Sequence, residues 1–240
     1  VNDMVDAFIL GAKYAIGVGA AAATVGIIVG VVTLTGVGFK ISWIVTSLAD
    51  QWANGLLGLV PFLPFDIKSA TLFFTLLLTG MVCILLGCGV PTTANYIIMV
   101  TVAAPALGML GVNPLVAHFF VFYYGVLADV TPPVAIAAYA GASMAGADPF
   151  KTGNTAFRLA LGKVLVPFVF VFSPSMLIMV PSFTWTELIG STAACIASIT
   201  LLSACFSAWL LAPLAMWERV VLGIAALPLI LATPVSVVVG

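Results

Sequence analysis

Along most of the chain, apolar residues do not alternate with polar ones. They run in stretches long enough to cross a hydrocarbon layer about 30 Å thick, divided by short polar or Pro/Gly segments. The layout predicts an all-α polytopic membrane protein, because backbone in lipid must satisfy its own hydrogen bonds, and a β-barrel would show short segments of alternating hydrophobicity instead. The opening VNDMVDAFILGAKY is mildly amphipathic, with Asp3, Asp6 and Lys13 on its polar side, and leads into a span at Ala15 to Gly36. The small residues of that span suit close helix packing. From Ile41 to Phe65, Trp43, Asp50, Gln51, Trp52 and Asn54 oppose Ile44, Leu48, Leu56 and Leu57 at helical spacing, the pattern of an interfacial helix. Apolar helices follow at Ser69 to Leu86, Ala94 to Leu110 and Leu115 to Ala128, and three further spans are expected at Val164 to Val180, Leu188 to Leu211 and Val220 to Val239.

Two places break this pattern: GCGVPTTANY, Gly87 to Tyr96, and DVTPP, Asp129 to Pro133. In both, an apolar helix stops, a polar or Pro-containing break intervenes, and a helix restarts. Thr92 or Thr93 is suited to cap the first restart, and Thr131 the second, with Pro132 at the first helical position where a missing N–H has no consequence. Non-helical backbone at membrane depth is tolerated only where protein covers it or it lines a wet cavity. A restarting half-helix offers free N–H groups to a carboxylate, and a stopping half-helix offers carbonyls to Na⁺. Asp129 strengthens the reading, since an ionisable residue inside a membrane segment is a functional-site candidate.

Composition narrows the function. With 63% hydrophobic and 6% charged residues, against about 25% charged in an ordinary soluble domain, a soluble reading fails. A net charge of −1 offers nucleic acid no basic surface. Lys151, Arg158 and Lys163, three of the seven basic residues, cluster in one connection, and the loop after the next extracytoplasmic turn carries Arg219; both are read as cytoplasmic. The four cysteines lie in apolar stretches and read as small buried hydrophobes, and His118 as a hydrogen-bonded structural residue. GCGVPTT lacks the ending of a phosphate loop and follows a helix. Enzyme chemistry is not expected, because Asp129 and His118 lie eleven residues apart on one helix, about three turns, and do not meet. Beginning at Val1 with no signal peptide, the chain is read as the C-terminal portion of something longer.

The stretches GCGVPTTANYIIMVTVAAPAL, AHFFVFYYGVLADVTPPVAIAAYA and GADPFKTGNTAFRLALGKVLVPFVFVFSPSML, covering Gly87 to Leu177 almost without interruption, resemble the large DctM-like permease subunit of TRAP (tripartite ATP-independent periplasmic) transporters, in particular the fused permeases that serve TAXI-type receptors. Cys88 stands where most relatives are expected to carry Met. The resemblance implies the second inverted repeat of an elevator-type transporter: residues 1–68 an N-terminal span and interfacial helix, 69–163 half of the transport domain, and 164–240 three C-terminal helices. Within the middle part it implies a re-entrant hairpin at 69–110, a discontinuous helix at 115–146 and a basic cytoplasmic connection at 148–163.

It further implies a Na⁺-coupled importer of small organic acids in a bacterial or archaeal inner membrane, with Na⁺ as coupling ion and no other cofactor. Its expected partners are the lipid bilayer, a periplasmic TAXI-type solute receptor, the missing N-terminal repeat, and a small membrane subunit or its fused equivalent. On that reading Na⁺ is held at Gly87, Gly89, Val90, Thr92, Thr93, Asp129 and Thr131, and the substrate meets Thr93, Ala94, Asn95, Pro132, Pro133 and Val134. A channel-like or structural subunit that does not transport is the competing expectation.

Overall fold

The structure, a computed structural model, describes residues 2–59, 66–88, 90, 92–179, 181 and 183–231. These form an all-α architecture. Among the described residues, four helices are long and apolar enough to cross a membrane, at Ile67–Gly87, Thr92–Met109, Pro149–Phe172 and Trp185–Ser207, and a bent pair, Ala23–Thr35 with Val37–Leu59, brings the number to five if it counts as one span. The chain is therefore a multi-pass membrane protein. Its outward surface carries large apolar side chains such as Phe8, Ile16, Ile27 and Leu34, as a lipid-facing surface requires.

The amphipathic opening and first span are one continuous helix, α1 (Asn2–Thr35). At 34 residues and about 1.5 Å per residue it is longer than the hydrocarbon layer is thick. Gly36, at φ +65°, turns the chain by 68° into α2 (Val37–Leu59). The interfacial helix expected at Ile41 to Phe65 thus starts earlier, and its last residues, 60–65, lie outside the described residues. Its buried face, Gly38, Ser42, Val45, Ala49 and Ala53, recurs every three or four residues and packs on α3 (Ile67–Gly87) and α4 (Thr92–Met109).

The α2–α4 crossing has a particular cause. Pro105, inside α4, has no N–H to give the carbonyl four residues before it, that of Thr101. Gly38 sits against that carbonyl so closely that a Cβ on it would lie 2.5 Å from the oxygen. One turn along, the Ser42 hydroxyl donates to the Val102 carbonyl at 3.1 Å.

The centre of the molecule is α5 (Pro114–Ala128), which packs on α3, α4 and α8 (Val166–Phe172). Asn113 caps it, accepting the Leu115 N–H at 2.9 Å. Phe120, Phe168, Phe172, Leu76, Met99 and Leu107 are wholly buried around it, and Tyr124 donates to the Val164 carbonyl at 2.9 Å. After α5 come the short α6 (Ile136–Ala145) and the amphipathic α7 (Pro149–Leu161), which Asp148 caps.

The single span expected from Val164 to Val180 is not present. Helix α8 stops at Phe172, Ser173 adopts φ −135° and ψ 76°, and Pro174 opens a 3-10 turn at Pro174–Met176. The apolar run of span length here is Pro149–Phe172, which combines the basic connection with α8 across a turn. Helices α9 (Trp185–Ser207) and α10 (Met216–Leu231) pack together, and the remainder of the last expected span, 232–239, lies outside the described residues.

Because a methyl at Gly38 meets backbone and not a movable side chain, Gly38→Ala is expected to destabilise the protein by about 1–3 kcal/mol. Gly55→Ala, on the same helix with nothing within 4 Å of the new Cβ, should stay within about 0.5 kcal/mol. Thermal unfolding midpoints in detergent compare the two, and equal midpoints would refute the close crossing.

Candidate functional site

The break after α3 and the break after α5 meet. Helix α3 ends at Gly87, where Cys88 leaves helical geometry and the Val90 N–H turns back to the Gly87 carbonyl at 3.3 Å. Helix α4 restarts at Thr92. The Thr92 hydroxyl does not cap its own helix: it donates to Asp129 Oδ2, 37 residues along the chain, at 2.6 Å. That length is typical of a hydroxyl on a carboxylate.

One turn further into α4, Asn95 is 1% exposed and donates through Nδ2 to the Gly125 carbonyl at 3.1 Å. Gly125 lies in the last turn of α5, four residues before Asp129, so both polar contacts tie the start of α4 to the end of α5. Gly87 makes the approach feasible. A Cβ there would lie 2.3 Å from Asn95 Nδ2 and 2.5 Å from the Ala128 Cβ. The single side-chain oxygen of Asn95, Oδ1, is buried and has no hydrogen-bond partner among the described residues. A buried unpaired carbonyl oxygen is costly, and its natural complements are water or a hard cation.

The second break runs from Asp129 to Ala135 between α5 and α6. Thr131 is buried and its hydroxyl turns back to the Leu127 carbonyl at 2.8 Å, so it does not cap α6. The residue before α6 is Ala135, at φ 32° and ψ 50°, with no side-chain cap. The segment closes on itself instead: the Ala135 N–H reaches the Thr131 carbonyl at 3.1 Å and the Ala137 N–H the Asp129 carbonyl at 3.2 Å. Tyr139 donates to the Pro133 carbonyl at 2.7 Å. Helix α7 supports it from behind, since a Cβ on Gly153 would meet the Tyr139 ring at 2.8 Å and Ala135 at 3.4 Å.

Of the residues singled out in the sequence, Gly87, Thr92, Asn95 and Asp129 are brought into one junction. Ala94 and Thr131 are buried beside it, Val90 and Val134 are half-buried, and Pro132 is half-buried next to an exposed Pro133. Thr93 is exposed and makes none of the junction's contacts. Gly89 and Pro91 lie outside the described residues. Sequence reasoning did not find Gly125 or Ala128, whose role is to present a carbonyl and to leave room; a small residue in the last turn before a break is the only signal they offer. His118 is hydrogen-bonded through Nδ1 to the Tyr96 hydroxyl at 2.8 Å, joining α4 to α5 well away from Asp129 along the helix.

A family model described as "Tripartite ATP-independent periplasmic transporter, DctM component" matches residues 1–185, a stretch that holds both breaks. No curated protein and no solved structure matches the chain.

If the Thr92 hydroxyl and the Asp129 carboxylate act as a unit, Thr92→Val and Asp129→Asn will not add. A double-mutant cycle on unfolding stability should give a coupling of about 0.5–3 kcal/mol; additivity to within about 0.5 kcal/mol would mean the contact contributes nothing. Gly87→Ala should disrupt the junction as a whole, lowering stability by about 1–3 kcal/mol, and an unchanged unfolding midpoint would contradict the packing described.

Proposed function

The chain belongs to the DctM family of TRAP transporters, and from that membership we propose that it forms part of a Na⁺-coupled permease that imports small organic acids. DctM components are membrane permeases, not enzymes, and such permeases work with a periplasmic solute receptor and a small membrane subunit. Our reading adds the TAXI type of that receptor, the sodium coupling, the carboxylate class of substrate and an elevator movement of the site.

The observation that carries the proposal is the junction of the two breaks through Thr92 and Asp129, at 2.6 Å. A break that merely kinked a span would need no polar partner in another break. Here the N-terminal end of one half-helix and the C-terminal end of another are held side by side, so the positive end of one helix dipole and the negative end of another face one locality. Hard oxygen donors suit Na⁺, and the chain offers them at the Asp129 carboxylate, the Thr92 hydroxyl and the orphaned Asn95 Oδ1.

In this mechanism Na⁺ and the substrate carboxylate enter as co-substrates. The positive end of α4, near Thr93 to Asn95, attracts the carboxylate, and the carbonyls at the ends of α3 and α5 attract the cation. Each neutralises the other's charge, so a site bearing both crosses the apolar layer at lower cost than a site bearing one. Sodium dependence follows from that mutual neutralisation. We read α3 and α4 as a re-entrant hairpin whose tip is the moving gate, with α5 and α6 as the discontinuous helix. We assign the rest of the site to an inverted partner of this half-site.

Reconstitution of the intact permease in proteoliposomes, with and without its receptor and a Na⁺ gradient, tests the reading. Uptake should require both, and Thr92→Ala and Asp129→Asn should each raise the Na⁺ concentration for half-maximal uptake by about tenfold, as expected when one charge-assisted contact worth about 1.5 kcal/mol is lost. Uptake that ignores the gradient and the receptor would favour a channel-like subunit, and variants with unaltered sodium dependence would remove these residues from the ion site.

A further inference from the structure

Away from the junction, the opposite end of α9 gathers cations that the transport reading does not use. Helix α9 has no basic residue in its own last turn, although carbonyls exposed at a helix end attract positive charge. Two arginines from other helices supply it. Arg158, on α7, donates through Nη2 to the Phe206 carbonyl at 3.0 Å, and Arg219, on α10, donates through Nε to the Cys205 carbonyl at 2.7 Å. Consecutive carbonyls at one helix end thus each hold a guanidinium group from a different helix. The exposed Lys163 follows Gly162, which packs against Ser203, one turn before these carbonyls: a Cβ on Gly162 would meet the Ser203 Cα at 3.2 Å.

A guanidinium has five N–H donors; Arg158 commits one of them to a carbonyl, and Arg219 one to a carbonyl and one to the Met216 Sδ at 3.8 Å. Among the described residues, none of these three cations has a carboxylate partner. The acidic neighbour, Glu218, is turned toward the start of α10, where it accepts the Ala215 N–H at 2.7 Å.

The loop joining α9 to α10 completes the picture. It is closed on itself by the Leu214 N–H to the Ala208 carbonyl at 2.9 Å and by a bridge between Trp209 and Pro213. Its tip is apolar and outward, with Leu211 93% exposed and Trp209 56% exposed. Basic groups with free donors next to an exposed apolar tip and a Trp form the pattern of the lipid headgroup boundary.

We propose that Arg158, Arg219 and Lys163 form a headgroup site for one anionic phospholipid of the cytoplasmic leaflet, with Leu211 inserted among its acyl chains. Charge complementarity selects an anionic lipid over a zwitterionic one. The arginines fork between a helix carbonyl and a phosphate oxygen, so the lipid locks α7, α9 and α10 together at one end.

The test places the intact permease in nanodiscs of phosphatidylcholine, with or without phosphatidylglycerol, and reads its unfolding midpoint and the lipids retained in native mass spectrometry. Phosphatidylglycerol should raise the midpoint and copurify, and high salt should weaken the effect. Arg158→Gln with Arg219→Gln, which retains N–H donors but deletes the charge, should lower apparent affinity for phosphatidylglycerol by about fivefold per charge removed. Should that double variant not fold, Lys163→Gln and Leu211→Ser, neither of which caps α9, are expected to reduce lipid retention separately. Equal stabilisation by the two lipids, or variants with wild-type retention, would overturn the proposal. So would an equal midpoint shift with soluble glycerol phosphate, because the acyl chains would then play no part.

Discussion

Everything in this molecule is conditioned by the need of each backbone N–H and C=O to find a partner without water. Helices meet that need locally, which explains why a chain this apolar is helical almost throughout. Where a helix stops inside the apolar layer the need is transferred to neighbouring groups. The Thr92–Asp129 contact and the Asn95–Gly125 contact bring one break against another, so that each covers the other. Neither break would be tolerated facing lipid.

Close packing makes that covering possible. Lipid chains are as apolar as Leu, so helices associate here through fit and through a few polar contacts, not through escape from water. Gly87 at the junction, Gly38 beneath the Thr101 carbonyl and Gly153 beneath Tyr139 are each placed where a methyl would collide. The carbonyl freed by Pro105 shows the same economy on a scaffold helix: a proline removes a donor, and a glycine and a serine on α2 bring the neighbouring helix close to the exposed backbone. The glycine positions and the broken hydrogen-bond ladders therefore belong to one arrangement.

Much of this was legible in the sequence and some was not. The positions of the breaks could be read because Gly, Pro and Thr are conspicuous in an apolar run, and the restarts at Thr92 and after Pro133 follow from the same residues. The roles of the threonines could not be read. A threonine before a helix is expected to cap it, yet Thr92 turns to a carboxylate 37 residues away and Thr131 turns back into α5. Likewise Val164 to Val180 has the hydropathy of a span, but Ser173 and Pro174 stop α8 early, and the amphipathic α7 continues the apolar run from the other side.

By itself, the sequence determined that the chain is a helical membrane protein and where its two polar breaks, at Gly87 to Thr93 and Asp129 to Pro133, interrupt the apolar pattern. These follow from hydropathy and backbone chemistry, which act within a few neighbouring residues. The tertiary structure alone decided which break faces which, that Asn95 is left with an unpaired buried oxygen, and that two arginines from separate helices serve one helix end. Those depend on contacts between residues tens of positions apart, and a local pattern of apolar and polar residues carries no record of them.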